Sequence, residues 1–205
     1  MQFSQASIQS VKSISQRALY LYWKRLAADR PFPTLKEFDP GSRVHDPKQL
    51  VIWNIEDVDG QRCFRALYQG NNVTEVFNSS WAGKTMDEVV PAPLKSFTMD
   101  AANECAASGC AIYTVLATRD ANEQQVDCER LLLPLGERAT VKQMVASLQL
   151  ISLKGEFARK NVLSQFENQS QIIFAGRIRS GPVMPETELI APTGDVSVVA
   201  EATQN

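Results

Sequence analysis

The residues able to do chemistry are few and scattered. The single histidine, His45, lies in Val44-His45-Asp46-Pro47. There Asp46 followed by Pro47 reads as a helix start, which gives the histidine a loop or capping place rather than a catalytic one. A serine or cysteine nucleophile would have only this imidazole to call on as a base. The four cysteines, Cys63, Cys105, Cys110 and Cys128, form no Cys-x-x-Cys pair. A zinc site needs clustered ligands, so the expectation is no metal and buried, reduced thiols. No Gly-x-Ser-x-Gly elbow and no phosphate-cradling Gly-x-x-x-x-Gly-Lys loop is present. Two adjacent polar pairs remain, Glu56-Asp57 and Glu129-Arg130. On a strand, neighbours point to opposite faces and cannot converge as an acid–base pair. The simple reading makes these residues surface or interface ion pairs. A sharper one is that Glu129 or Arg130 reports ligand occupancy across a sheet. Catalysis is therefore not expected.

Charge and composition narrow the classes further. The formal net charge is −2 and lysine and arginine are dispersed, so no basic stripe addresses a phosphate backbone and nucleic-acid binding is not expected. The N-terminus lacks a basic region followed by an apolar run, and no stretch approaches about 18 apolar residues. The expectation is a cytoplasmic protein without membrane insertion. A hydrophobic content of 44% is enough for one sizeable core.

The elements that must position these groups can be read from periodicity. Ile8, Val11, Ile14, Ala18, Tyr22 and Leu26 recur at helical steps over residues 5 to 29, with Leu19 and Trp23 widening the stripe until Pro31 and Pro33 end it. Thr34 and Glu37 form a capping-box pattern. Val51 to Val58 and Arg62 to Tyr68 read as strands joined by Asp59-Gly60, a pair that accepts positive φ. Residues 73 to 77, a second capping box at Thr85 to Glu88, and a longer run from about Ala92 to Ser108 ended by Gly109 read as helices. Three more strands are expected at 110–118, 126–133 and 141–151, the last two joined by a turn containing Gly136. The fold class is then α+β: one antiparallel sheet of five strands, helices on one face, and a long N-terminal flanking helix. The chain divides into that helix (1–33), a central domain (34–152), an extension (153–179) and a tail expected to be disordered (180–205). In the extension, Phe157, Val162, Leu163 and Phe166 suggest a helix and 171–178 a strand or extended arm.

A hairpin, a helical middle and a three-strand meander make the chain order of a PAS domain. Several stretches over residues 18 to 152 add to this: Tyr22-Trp23 with Arg30 and Pro33, Phe38-Asp39-Pro40, Phe64-Arg65-Ala66-Leu67, Gly83 to Val89, and Glu129-Arg130-Leu131-Leu132-Leu133-Pro134-Leu135. On these the chain resembles a PAS-like family of small stand-alone alphaproteobacterial proteins. It departs from the family at Leu67-Tyr68-Gln69 before Gly70, and at Gly136-Glu137-Arg138. The resemblance implies a sensory or adaptor role in bacterial signalling, exerted through a protein partner such as a histidine kinase. If such a protein has a pocket, it lies between sheet and helices, with Phe97, Ala101, Cys105, Tyr113 and Leu131 as the candidate lining; the simpler expectation is that these side chains fill a core. Haem is disfavoured because the histidine precedes the first strand. Photoactive flavin is disfavoured because Arg62-Cys63-Phe64-Arg65 lies on a strand, so a cofactor, if any, is unknown. Ile8, Val11, Ile14, Ala18, Tyr22, Trp23 and Leu26 are the candidate partner or homodimer surface, the alternative being that they cover their own sheet. A ligand-free scaffold and a small carboxylate-using α+β enzyme are the competing readings.

Overall fold

The computed structural model describes residues 1–120, 122–152, 155–157 and 171–179. Seven strands form one sheet: β1 (Ser4–Ala6), β2 (Leu50–Val58), β3 (Gln61–Gln69), β4 (Ala111–Arg119), β5 (Gln125–Glu137), β6 (Thr140–Ile151) and β7 (Gln171–Ile178). Their spatial order is β1-β7-β4-β5-β6-β2-β3. Four α-helices accompany them: α1 (Ile14–Ala27), α2 (Asn71–Phe77), α3 (Met86–Val89) and α4 (Ala92–Ser108).

This overturns the five-stranded antiparallel sheet. The sheet has seven strands and is mixed, because β1 pairs with β7 in parallel while every other pair is antiparallel. β1 escaped the sequence reading because three residues cannot display an alternation. β7 was legible only as a strand or arm, since nothing local says which edge it joins. It pairs along β4 from Ala111↔Ile178 to Ala117↔Gln171. That covers an edge of the meander that would otherwise offer unpaired backbone groups. The expected helix through Val162, Leu163 and Phe166 and the tail at 180–205 lie outside the described residues.

Both faces of the sheet are covered. One carries α2, α3 and α4 over Val51, Trp53, Phe64, Ile112, Leu132 and Met144. The other carries α1 and the segment after it, with Leu19, Trp23, Phe32 and Phe38 packed on Ile52, Tyr113, Leu131 and Val145. The two-residue period of the strands sorts these sets, Leu131 and Leu133 to one side and Leu132 to the other.

Local chemistry explains the element ends. The Asp59-Gly60 turn has positive φ at both positions, as its residue types suggest. β5 runs four residues beyond the expected Leu133, and the turn after it is Arg138-Ala139, both at positive φ. Pro134 is tolerated inside β5 because the last pair with β4 is Ile112↔Leu132. A register shift at Leu67, which stands unpaired between Ala66 and Tyr68, turns Tyr68 to the α1 face. Its hydroxyl donates to the Pro47 carbonyl at 3.2 Å. Gly70 follows, where a Cβ would sit 2.3 Å from the Lys48 carbonyl oxygen, so only glycine lets the two backbones approach.

Candidate functional site

The helix α1 is phased differently from the stripe read in the sequence. Ser13 caps it, its hydroxyl accepting from Gln16 N–H, and its buried face is Gln16, Leu19, Tyr20, Trp23 and Ala27. Ile8 lies in a separate 3₁₀ turn (Ile8–Ser10) and Val11 in the link after it. A single helical period extrapolated from residue 8 therefore rotates the stripe. Among the candidate interface residues, Val11 and Trp23 are buried on the chain's own sheet, and Ile8, Tyr22 and Leu26 pack partly against the same cluster. Ala18 is half-buried, while Ile14 is 82% exposed.

Polar contacts moor α1 to β5. Trp23 Nε1 donates to the Pro134 carbonyl at 2.8 Å. Gln16 Nε2 reaches two strands at once, donating to the carbonyls of Glu129 (3.2 Å) and Ser147 (2.9 Å). Glu129 is fully buried, and its Oε2 accepts from the Ser13 N–H at 3.1 Å, just where the helix begins. Burial raises its carboxyl pKa, against the opposing pull of the Tyr113 hydroxyl, Ser13 N–H and Lys12. Tyr113 is itself pushed up by burial, and Lys12 pairs with Asp127 at 3.3 Å. Glu129 Oε1 and Gln16 Oε1 are left as buried acceptors with no partner.

Across the sheet, Val126, Cys128, Arg130 and Leu132 point toward the other helices. Arg130 is the one charge on this apolar row. Its Nε donates to Thr114 Oγ1 at 3.3 Å and its guanidinium lies over the Phe97 ring, 5.0 Å from the centroid. Among the described residues it makes no ion pair, and its buried Nη2 has no hydrogen-bond partner. Burial lowers its pKa to about 10, which leaves it cationic at neutral pH.

Arg130 lines a cavity of about 40 Å³ between the sheet and α2–α4, together with Trp53, Phe77, Trp81, Met86 and Thr98. Trp81 is only 3% exposed and its indole Nε1 is a second buried donor without a partner. Its ring packs on Phe77 and Trp53, and its backbone N–H is held by Gln69 Oε1 at 2.7 Å. Two residues of one apolar lining thus each carry a buried donor without a partner, an unusual combination because buried polar groups are nearly always satisfied.

The five expected pocket residues are not brought together. Phe97, Ala101 and Cys105 belong to the α4 side, while Tyr113 and Leu131 face α1. α4 presents Leu94, Thr98 and Ala102 to the cavity, a row rotated by one position from the one expected. The residues that sequence reasoning missed are Trp81, in an irregular stretch without periodicity, and Thr98. The signal for Arg130 was present: a lone charge in register with Val126, Cys128 and Leu132.

The remaining candidates have structural employment. His45 stacks on Phe38, with 5.5 Å between centroids, and its Nε2 lies 3.2 Å from the Asp39 carbonyl. Asp46 caps the turn that follows, accepting from Lys48 N–H. Glu56 pairs with Arg65 across the hairpin at 3.0 Å, and Asp57 Oδ1 accepts from Gly60 N–H. The expected ion pair thus holds for Glu56 but fails for Glu129 and Arg130. Cys105 and Cys128 are buried thiols whose pKa burial pushes up, that of Cys128 to about 12. Among the described residues no group of three or more His, Cys, Asp and Glu could hold a metal ion, and no helix is long and apolar enough to cross a membrane. No family model, no curated protein and no solved structure matches the chain.

Proposed function

We propose that the chain is a non-catalytic sensory or adaptor protein whose input is a small molecule in the Arg130–Trp81 cavity. The carrying observation is the pair of orphan donors there, Arg130 Nη2 and Trp81 Nε1, set in apolar walls. A buried donor without an acceptor costs about 1–3 kcal/mol, and more when charged. A ligand that supplies acceptors recovers that cost.

The output runs through β5. Glu129 and Arg130 are successive residues pointing to opposite faces, Arg130 into the cavity and Glu129 onto the start of α1. A shift of β5 at one changes the seat of the other. The outer side of α1, with Ile14 and Leu21 exposed, is the surface on which a protein partner would read the change. The resemblance of residues 18 to 152 to stand-alone PAS-like signalling proteins supports this reading and favours a signalling kinase as the partner class. The test is native mass spectrometry of freshly purified protein, sprayed from ammonium bicarbonate and compared with the denatured mass. Excess mass lost on denaturation supports the sensor. A bare polypeptide mass, or a clean multiple of it, that stays bare when small anions and neutral molecules are added contradicts ligand input and leaves a scaffold that binds proteins alone.

A further inference from the structure

We infer that the ligand is a short monocarboxylate, of the size of acetate or propionate, with its carboxylate on Arg130 and Trp81. The inference rests on the sensor reading and adds the chemical class. Three observations narrow it. The first is polarity: the unsatisfied groups at the cavity, Arg130 Nη2 and Trp81 Nε1, are both donors, and none of the unpartnered acceptors belongs to its lining. The polar end of the ligand must therefore only accept. A carboxylate does so with a full charge, whereas a neutral amide would have only the Thr98 hydroxyl in the lining side chains to take its N–H groups.

The second is charge. Arg130 meets no carboxylate among the described residues, so a single negative charge completes a pair that those residues leave open. Inorganic phosphate asks for more donors than these, in a hollow otherwise walled by Phe77, Met86 and Leu132. An alkyl end fits those walls. The third is size. The cavity measures about 40 Å³, and a water needs roughly 10–15 Å³ on this measure, so the space suits about three waters or one compact organic anion. Two larger hollows, of about 630 and 550 Å³, are open depressions on the surface. Arg65 and Arg177 there are already paired with Glu56 and Glu104, and Arg62 is exposed and donates to the carbonyl and side-chain amide oxygens of Asn103.

The experiment is a thermal-shift and tryptophan-fluorescence titration of the full chain with sodium acetate and sodium propionate, chloride holding ionic strength constant. Acetamide and propionamide serve as neutral isosteres. Saturable stabilisation by the carboxylates and none by the amides is expected. Arg130→Gln should weaken the response by roughly ten- to a hundredfold, and Trp81→Phe by a smaller factor. Circular dichroism shows whether each variant is folded. If Arg130→Gln does not fold, Arg130→Lys, which keeps charge but loses the planar fork, should still bind and bind more weakly. Equal response to amides, or an unchanged response in Arg130→Gln, overturns the carboxylate assignment. A co-purified neutral or larger molecule overturns it too, and leaves the sensor reading standing. No saturable response to either carboxylate together with a bare native mass means the donors hold only water, and both readings fall.

Discussion

The two faces of the sheet carry similar side chains used in opposite ways. Trp23, on the α1 face, has its indole N–H satisfied by Pro134 O, while Trp81, on the other face, has the same group buried and unpartnered. The deficits also differ in sign. Against α1 the orphans of the helix–β5 contact are the acceptors Glu129 Oε1 and Gln16 Oε1; at the cavity they are the donors Arg130 Nη2 and Trp81 Nε1. Protonation of Glu129, which burial favours, relieves the deficit at its own carboxylate without any other molecule. Missing acceptors beside a cation ask for a molecule from outside. The comparison assigns α1 a mooring role and the α2–α4 face a binding role.

The largest effect that would sharpen this contrast is expected at Arg130. Arg130→Met exchanges an unpaired, partly buried cation for an apolar side chain. It should stabilise the ligand-free protein by about 1–4 kcal/mol in denaturant unfolding. A loss of stability would show that the cation is structural. Next come the two tryptophans. Trp23→Phe leaves Pro134 O without its donor and Trp81→Phe removes a donor that had no acceptor, so the first should cost about 1–3 kcal/mol more than the second in the absence of ligand. Equal costs would erase the distinction between the faces.

A smaller effect follows from Glu129. Its folded-state carboxyl is raised by burial, so the fold favours the protonated form. Its contribution to stability is then fully present below the unfolded carboxyl value, about 4.3, and is lost as pH rises through the folded value. Glu129→Gln, which keeps an acceptor for Ser13 N–H, should abolish that fall and be the more stable protein at neutral pH. A variant that still loses stability over the same range would show that the titration is not that of Glu129. The smallest effect is at Lys12–Asp127, where the lysine is largely in solvent; Lys12→Ala should change stability by about 0–1 kcal/mol, and less in high salt.

Much of the central sheet was legible from residues 51 to 151, because hairpin turns, β-branched runs and caps are local signals. Asp59-Gly60 and Thr85 to Glu88 behave as their residue types require. What was not legible depends on contacts distant in sequence. β1 and β7 meet across most of the chain, and neither carries a mark of its neighbour. The phase of α1 was misjudged because a 3₁₀ turn and a link precede it. At the site, the neighbours Leu131 and Leu132 look alike, and only the register decides which faces the cavity. Arg130 betrayed itself by its type among Val126, Cys128 and Leu132. Trp81 did not, since its place is fixed by Gln69, Phe77 and Trp53 rather than by any pattern around it.

The most direct test watches the indole N–H groups themselves. The chain has three tryptophans, Trp23, Trp53 and Trp81, and each gives one ¹H–¹⁵N indole resonance assignable by substitution. On titration with propionate the Trp81 resonance should move progressively and saturably as its N–H gains an acceptor. The Trp23 resonance, already bonded to Pro134 O, should stay in place. A Trp81 signal that does not move, or one that moves no more than that of Trp23, would contradict the assignment of the cavity as the binding face.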